Sequence, residues 1–127
     1  MSSPILIIEE GPFSRVCAAL LAEDGHTVQI VGAEATSLHR ALSSDADSAS
    51  LIVASYPVGH DVLKLLKGSK VPTIMLLNCI DRDMVHVLVE SRNICCMVKP
   101  LDYRKFRLVV QDALAGSFRE RGEVLVD

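Results

Sequence analysis

The stretch Leu51-Ile52-Val53-Ala54-Ser55-Tyr56-Pro57 decides how this chain is read. Four aliphatic residues run without polar alternation, the habit of a strand covered on both faces in a parallel sheet. The run closes on a hydroxyl residue, Ser55, and Pro57 stops it at once, since proline has no amide to give to a ladder. In open parallel sheets the ligand site lies just past the carboxyl ends of the strands. The residue standing at Ser55 therefore bears on function as much as on fold.

Four more aliphatic runs recur at roughly regular spacing: Ile5 to Ile8, Val28 to Val31, Thr73 to Leu77 and Ile94 to Val98. Segments with helical period separate them. Phe13, Val16, Cys17, Leu20 and Leu21 fall on one helix face, opened by Pro12 and closed near Gly25. Leu38, Ala41 and Leu42 follow a Thr36-Ser37 cap candidate and give way to the polar connection Ser43 to Ser48. Val62, Leu65 and Leu66 define a third helix, Asp61 to Lys67, that stops at Gly68. Met84, Val85 and Leu88 mark a fourth over about Asp81 to Ser91. The fifth has Asp102 as its cap and Leu101 with Phe106 as a hydrophobic staple, and Val109, Val110, Ala113 and Leu114 extend its stripe to Gly116. Five strands alternating with five helices predict an α/β domain, a doubly wound parallel sheet covered on both faces. The pattern alone does not fix the strand order. We place the domain at residues 1–116 and read 117–127 as a tail or the start of a linker to an output domain.

Composition narrows the function classes. A chain of 127 residues, 50% hydrophobic and 23% charged, suits one folded domain. Its net charge of -3, with both signs scattered, offers no basic face for a phosphate backbone, so direct nucleic-acid binding is not expected. No apolar run reaches the ~20 residues of a membrane span, and Pro4 to Ile8 is too short for a signal peptide, which predicts a cytoplasmic protein without membrane contact. Cys17, Cys79, Cys95 and Cys96 lack metal or redox spacing and read as small buried hydrophobes; adjacent strand residues face opposite ways, which disfavours a Cys95–Cys96 bond. The histidines His26, His39, His60 and His86 are scattered, with no ligand spacing among them.

The residues just past the aliphatic runs are Glu9-Glu10, Ser55, Leu77-Asn78 and Lys99-Pro100. With this set, over about residues 4–116, the chain resembles the receiver domains of bacterial two-component response regulators, the CheY-like domains. The resemblance implies a flavodoxin-like, three-layer α/β/α fold with five strands. It also implies roles: Glu9 and Glu10 fall on the acidic pair that helps hold magnesium, Ser55 on the aspartate that accepts a phosphoryl group, Leu77 on a Thr or Ser, and Cys96 on an aromatic switch residue. Lys99-Pro100 matches outright.

The departures from the family's pattern predict a degenerate receiver, a pseudo-receiver. Acyl-phosphate chemistry needs a carboxylate that attacks, with a metal and a lysine to neutralise the phosphoryl oxygens. A serine hydroxyl is a poor nucleophile without a base, and His60 is the nearest histidine in sequence. With one carboxylate missing, Glu9 and Glu10 alone would hold Mg2+ weakly, so no cofactor is expected. Blander readings fit each residue too: Glu9-Glu10 as solvated charge at a helix start, Lys99 as their ion-pair partner, Ser55 as a tolerated small residue, Leu77 as core packing.

The resemblance then implies a non-enzymatic signalling domain of a phosphorelay, acting through protein contacts with an output domain, a histidine kinase or another signalling protein. The family's contact face maps here to the fourth helix, fifth strand and fifth helix, which also suits a homodimer. Two alternatives are a receiver still switched by atypical phosphorylation and a flavodoxin-like binder of a small molecule. For the latter, only Gly11 stands where a dinucleotide-binding turn needs several glycines.

Overall fold

The computed structural model describes residues 4–8, 11–43, 49–55, 58–77, 82, 93–98, 102–115 and 124–125. All five expected strands form within one residue of their sequence bounds: β1 (Ile5–Ile8), β2 (Val28–Val31), β3 (Leu51–Ser55), β4 (Thr73–Leu77) and β5 (Ile94–Val98). Every residue of β1 and β4 is buried, as the unbroken aliphatic runs require of strands sandwiched between helices. Neighbouring strands pair in parallel in the order β2-β1-β3-β4-β5. The order reverses between β1 and β3, which makes the carboxyl end of that pair the topological switch point. One strand exceeds the expected five: β6 (Val124–Leu125) pairs in parallel with β5 and lies at the sheet's edge.

Four helices are described: α1 (Gly11–Glu23), α2 (Ala35–Ser43), α3 (His60–Gly68) and α4 (Tyr103–Leu114). The alternation of side chains along each strand sorts the core into two layers. On one side Ile7, Val53, Ile74, Leu76 and Met97 meet Cys17 and Leu21 of α1 and Phe106, Val109 and Val110 of α4. On the other Ile8, Ile52, Met75, Leu77 and Cys96 meet Leu38 of α2 and Val62 and Leu66 of α3. Each such aliphatic side chain contributes about 1.5–3 kcal/mol by leaving water. Cys95 belongs to the first layer and Cys96 to the second, so their thiols face apart; both are buried, as is Cys17. Cys79 lies outside the described residues.

The helix ends follow from local chemistry. Gly25, at φ +93°, ends α1 with the paired bonds of a left-handed cap: its amide donates to the Ala22 carbonyl and that of His26 to Leu21, both at 3.0 Å. Asp102 caps α4 by accepting the amides of Arg104 and Lys105, at 2.9 and 3.3 Å. Arg107 of α4 then reaches Asp24, 3.1 Å away, beyond the end of α1.

Three details correct the periodicity. The inward face of α1 runs through Ser14, Cys17 and Leu21, while Val16 is 45% exposed. Ser14 tolerates burial because its hydroxyl donates to the Gly11 carbonyl at 2.8 Å. Helix α2 begins at Ala35, so Thr36 and Ser37 lie inside it rather than capping it; Ser37 Oγ donates instead to Glu34 Oε2, 3.1 Å away. Leu114 is exposed, and the stripe of α4 ends at Ala113. The expected helix Asp81 to Ser91 lies outside the described residues except for Arg82, which is helical and exposed, and Leu101 lies outside them too.

Candidate functional site

Four adjacent strands, β1, β3, β4 and β5, deliver their carboxyl ends to one rim of the sheet, at Ile8, Ser55, Leu77 and Val98. At about 4.8 Å per strand this rim spans about 14 Å. Ser55 ends β3 half-buried, and its ladder partner is Leu76. Leu77 pairs with Val98, and Cys96 with Met75 one step inward. Glu9, Glu10, Lys99 and Pro100, the remaining members of the expected pocket, lie outside the described residues, as do Tyr56, Pro57 and Asn78.

The structure divides the described candidates between the two faces. By alternation from Leu51 and Val53, Ser55 belongs to the α1 side, where it lines a cavity of about 10 Å³ with Phe13, Ser14 and Cys17. That is room for one water at most, since a water needs at least ~10–15 Å³ of such space. Leu77 and Cys96 share the opposite layer, both fully buried. Where the resemblance implies a hydroxyl and an aromatic residue acting together, two small or aliphatic side chains pack in a fully buried layer. Burial, and secondarily the neighbouring Cys95, pushes the Cys96 thiol up to about 12 from 9.0, so it stays neutral and has no nucleophilic role at ordinary pH.

The chemistry open to this rim is limited by its donor set. Among the described residues, the lining beside Ser55 contains no histidine or carboxylate to take the proton of the hydroxyl. Magnesium asks for several oxygen ligands with carboxylate charge among them. Ser55 supplies a neutral oxygen, and among the described residues no group of three His, Cys, Asp or Glu side chains could hold a metal. Glu9 and Glu10, the carboxylates expected to hold magnesium, lie outside the described residues. Ser14 is the residue that periodicity overlooked here. Its place three before Cys17 and seven before Leu21 is the signal that it faces inward.

A larger concavity, about 680 Å³ and open to solvent, lies between α2 and α3, lined by Thr36, His39, Arg40, Asp61, Lys64 and Leu65. Its lining is all helical. It is distinct from the strand-end rim where this topology places ligands. No described helix is long and apolar enough to cross a membrane.

No family model matches the sequence, and no curated protein matches it. Solved structures do. The signal receiver domain of an HD domain-containing protein from Pseudomonas fluorescens Pf-5 superposes with TM-score 0.76 at 17% identity, over 92% of this chain and 98% of the other. A CheY-like response regulator receiver domain protein from Methanospirillum hungatei JF-1 gives 0.73 at 16% identity, over 92% and 97%. The signal receiver domain of a signal transduction histidine kinase from Syntrophus aciditrophicus gives 0.72 at 25% identity, over 98% of both chains. Strand order, layer arrangement and these superpositions agree: the chain has the flavodoxin-like fold of the CheY-like response-regulator receiver domains.

Proposed function

We propose that this chain is a signalling domain of the two-component kind that works by protein contact and does not accept a phosphoryl group. The observation that carries the reading is Ser55 at the end of β3, beside the switch point of a receiver fold, half-buried over a cavity too small for more than one water. A hydroxyl there lacks the charge to help hold a cation, and the described residues that line the cavity with it include no base to sharpen it as a nucleophile. Leu77 and Cys96 support the same reading, because a buried aliphatic side chain and a neutral thiol offer a phosphoryl oxygen nothing to bond to strongly. Receiver domains of this fold occur in an HD domain-containing protein and in a histidine kinase. The partner class proposed here is accordingly an output or kinase region, on this chain or another.

The test is a titration with magnesium and beryllium fluoride, a phosphoryl mimic, followed through the amide resonances of Val53 to Ser55 and Leu76 to Leu77. These resonances stay unmoved in the native protein. Saturable shifts that need both magnesium and the fluoride would overturn the reading. So would a phosphate-sized mass gain with acetyl phosphate that disappears in Ser55→Ala, the result expected of a receiver switched by atypical phosphorylation.

A further inference from the structure

The concavity between α2 and α3 does not stand alone. Arg40, in its lining, also borders a hollow of about 330 Å³ beside the outer strand β2, and Lys64 borders one of about 280 Å³ on the next face of α3. The three adjoin as one trough, open to solvent, that runs from β2 over α2 to α3. Its chemistry follows from how the two helices pack. Leu38 of α2 and Val62 and Leu66 of α3 are turned into the core, which leaves the neighbouring positions on the helix flanks. Leu63 and Leu65, half-buried there, give the trough apolar ground. Arg40, Lys64 and Lys67 give it positive charge, against the carboxylate of Asp61 alone among the described residues of the lining. Arg40 and Lys64 are exposed, and among the described residues neither is held in an ion pair. A cationic surface thus lies on a chain whose net charge is -3.

We propose that this trough is a docking groove for an acidic amphipathic helix of another protein, with the helix's apolar side chains on Leu63 and Leu65 and its carboxylates on Arg40 and Lys64. Charge selects the partner's sign: an excess of cations draws carboxylates, and it opposes the same face of a second copy, since a two-fold contact would set these cations against their own kind. Shape selects the partner's class. A small-molecule site buries most of its ligand, which a trough open along its length does not do. A helix laid in a groove needs only an apolar stripe at i, i+3, i+4 and i+7 and keeps its other side in water. The inference rests on the protein-contact part of the function proposed above, and it stands whether or not Ser55 accepts a phosphoryl group.

The probe is a synthetic helical peptide with leucine at i, i+3, i+4 and i+7 and glutamate between, titrated into the full chain and followed through the amide resonances. Those of Thr36, His39, Arg40, Lys64 and Leu65 shift saturably, those of α4 do not, and added salt weakens the binding. The double variant Arg40→Glu with Lys64→Glu changes only exposed side chains, so it keeps the parent's resonance dispersion, and it binds the peptide about tenfold more weakly or worse. The pair Arg40→Lys with Lys64→Arg, which keeps the charge, retains the binding. No saturable shift at millimolar peptide, shifts centred on another face, or undiminished binding by the charge-reversed variant would each overturn the proposal. So would equal binding of a peptide with serine in place of leucine, or of a DNA oligonucleotide, either of which would reduce the groove to bare charge. None of these outcomes alters the beryllium fluoride result, so the groove and the inertness of Ser55 fail separately.

Discussion

The two ends of β4 are a controlled contrast within one strand. Thr73 at the amino end and Leu77 at the carboxyl end point to the same side of the sheet, and both are fully buried. Yet the hydroxyl is at the end where the resemblance assigns it no role, and the aliphatic side chain is where a hydroxyl would serve. Among the described residues Thr73 Oγ1 has no hydrogen-bond partner. The backbone around it is well bonded: its amide donates to the Asn93 carbonyl at 2.8 Å, Ile52 donates to Pro72 at 2.9 Å, and Asn93 Nδ2 donates to the Ser69 carbonyl at 3.0 Å. Such bonds carry the ladders past the strands and close the amino end without help from the Thr73 hydroxyl. The lesson is that this sheet is stitched at one end by its main chain and filled at the other by apolar side chains.

The largest expected effect probes the depth of that apolar filling, at Cys96 on the same side one strand away. The unfolded chain loses the Cys96 proton near its ordinary value of 9.0, whereas the folded chain keeps it to about 12. The raised value means that stability from this group is complete below pH 9.0 and falls as pH climbs through the window to about 12. The slope is about 1.4 kcal/mol per pH unit for one proton. Urea melts at neutral pH and in mid-window, compared between the parent and Cys96→Ala, read it directly. Equal losses in the two proteins would mean that the thiol is not sealed.

Leu77→Thr, which restores the residue type implied by the resemblance, is expected to destabilise by about 3 kcal/mol, from lost apolar volume and an unbonded buried hydroxyl. A loss below about 1 kcal/mol in denaturant melts would show that the carboxyl end is wetter than its burial says. The reverse change, Thr73→Val, removes an orphaned hydroxyl at nearly constant volume and is expected to stabilise by about 1 kcal/mol. Destabilisation there would reveal a partner for Thr73 Oγ1. Smallest of all, Ser55→Ala should lie within about 0.5 kcal/mol of the parent, as a half-buried side chain with no role in the core. A larger change would give Ser55 a structural bond.

Legibility in the sequence followed the physics of each feature. The strands were visible because burial on both faces leaves unbroken aliphatic runs, and Leu51 to Ser55 shows this most clearly. Helix faces were less legible: Val16 and Ser14 exchange places relative to the periodicity because Ser14 satisfies its own hydroxyl within the first turn of α1. The second strand shows the limit from another side. Its run Val28 to Val31 looks like its neighbours, yet Ile30 is 40% exposed, since β2 is the outermost strand on that edge. Of the candidate site, position at the end of each run located Ser55 and Leu77 on the rim, while Glu9, Glu10, Lys99 and Pro100 lie outside the described residues.

The chain's own sequence determined the element types, the aliphatic core and the absence of a carboxylate at the end of the third strand, because these depend on local pattern and residue chemistry alone. Tertiary structure decided the rest: the order β2-β1-β3-β4-β5-β6, the assignment of Ser55 to one face and of Leu77 and Cys96 to the other, and the recruitment of Val124–Leu125 as a sixth strand. A strand's neighbours are chosen by contacts between residues far apart in the chain, and no local pattern carries that information.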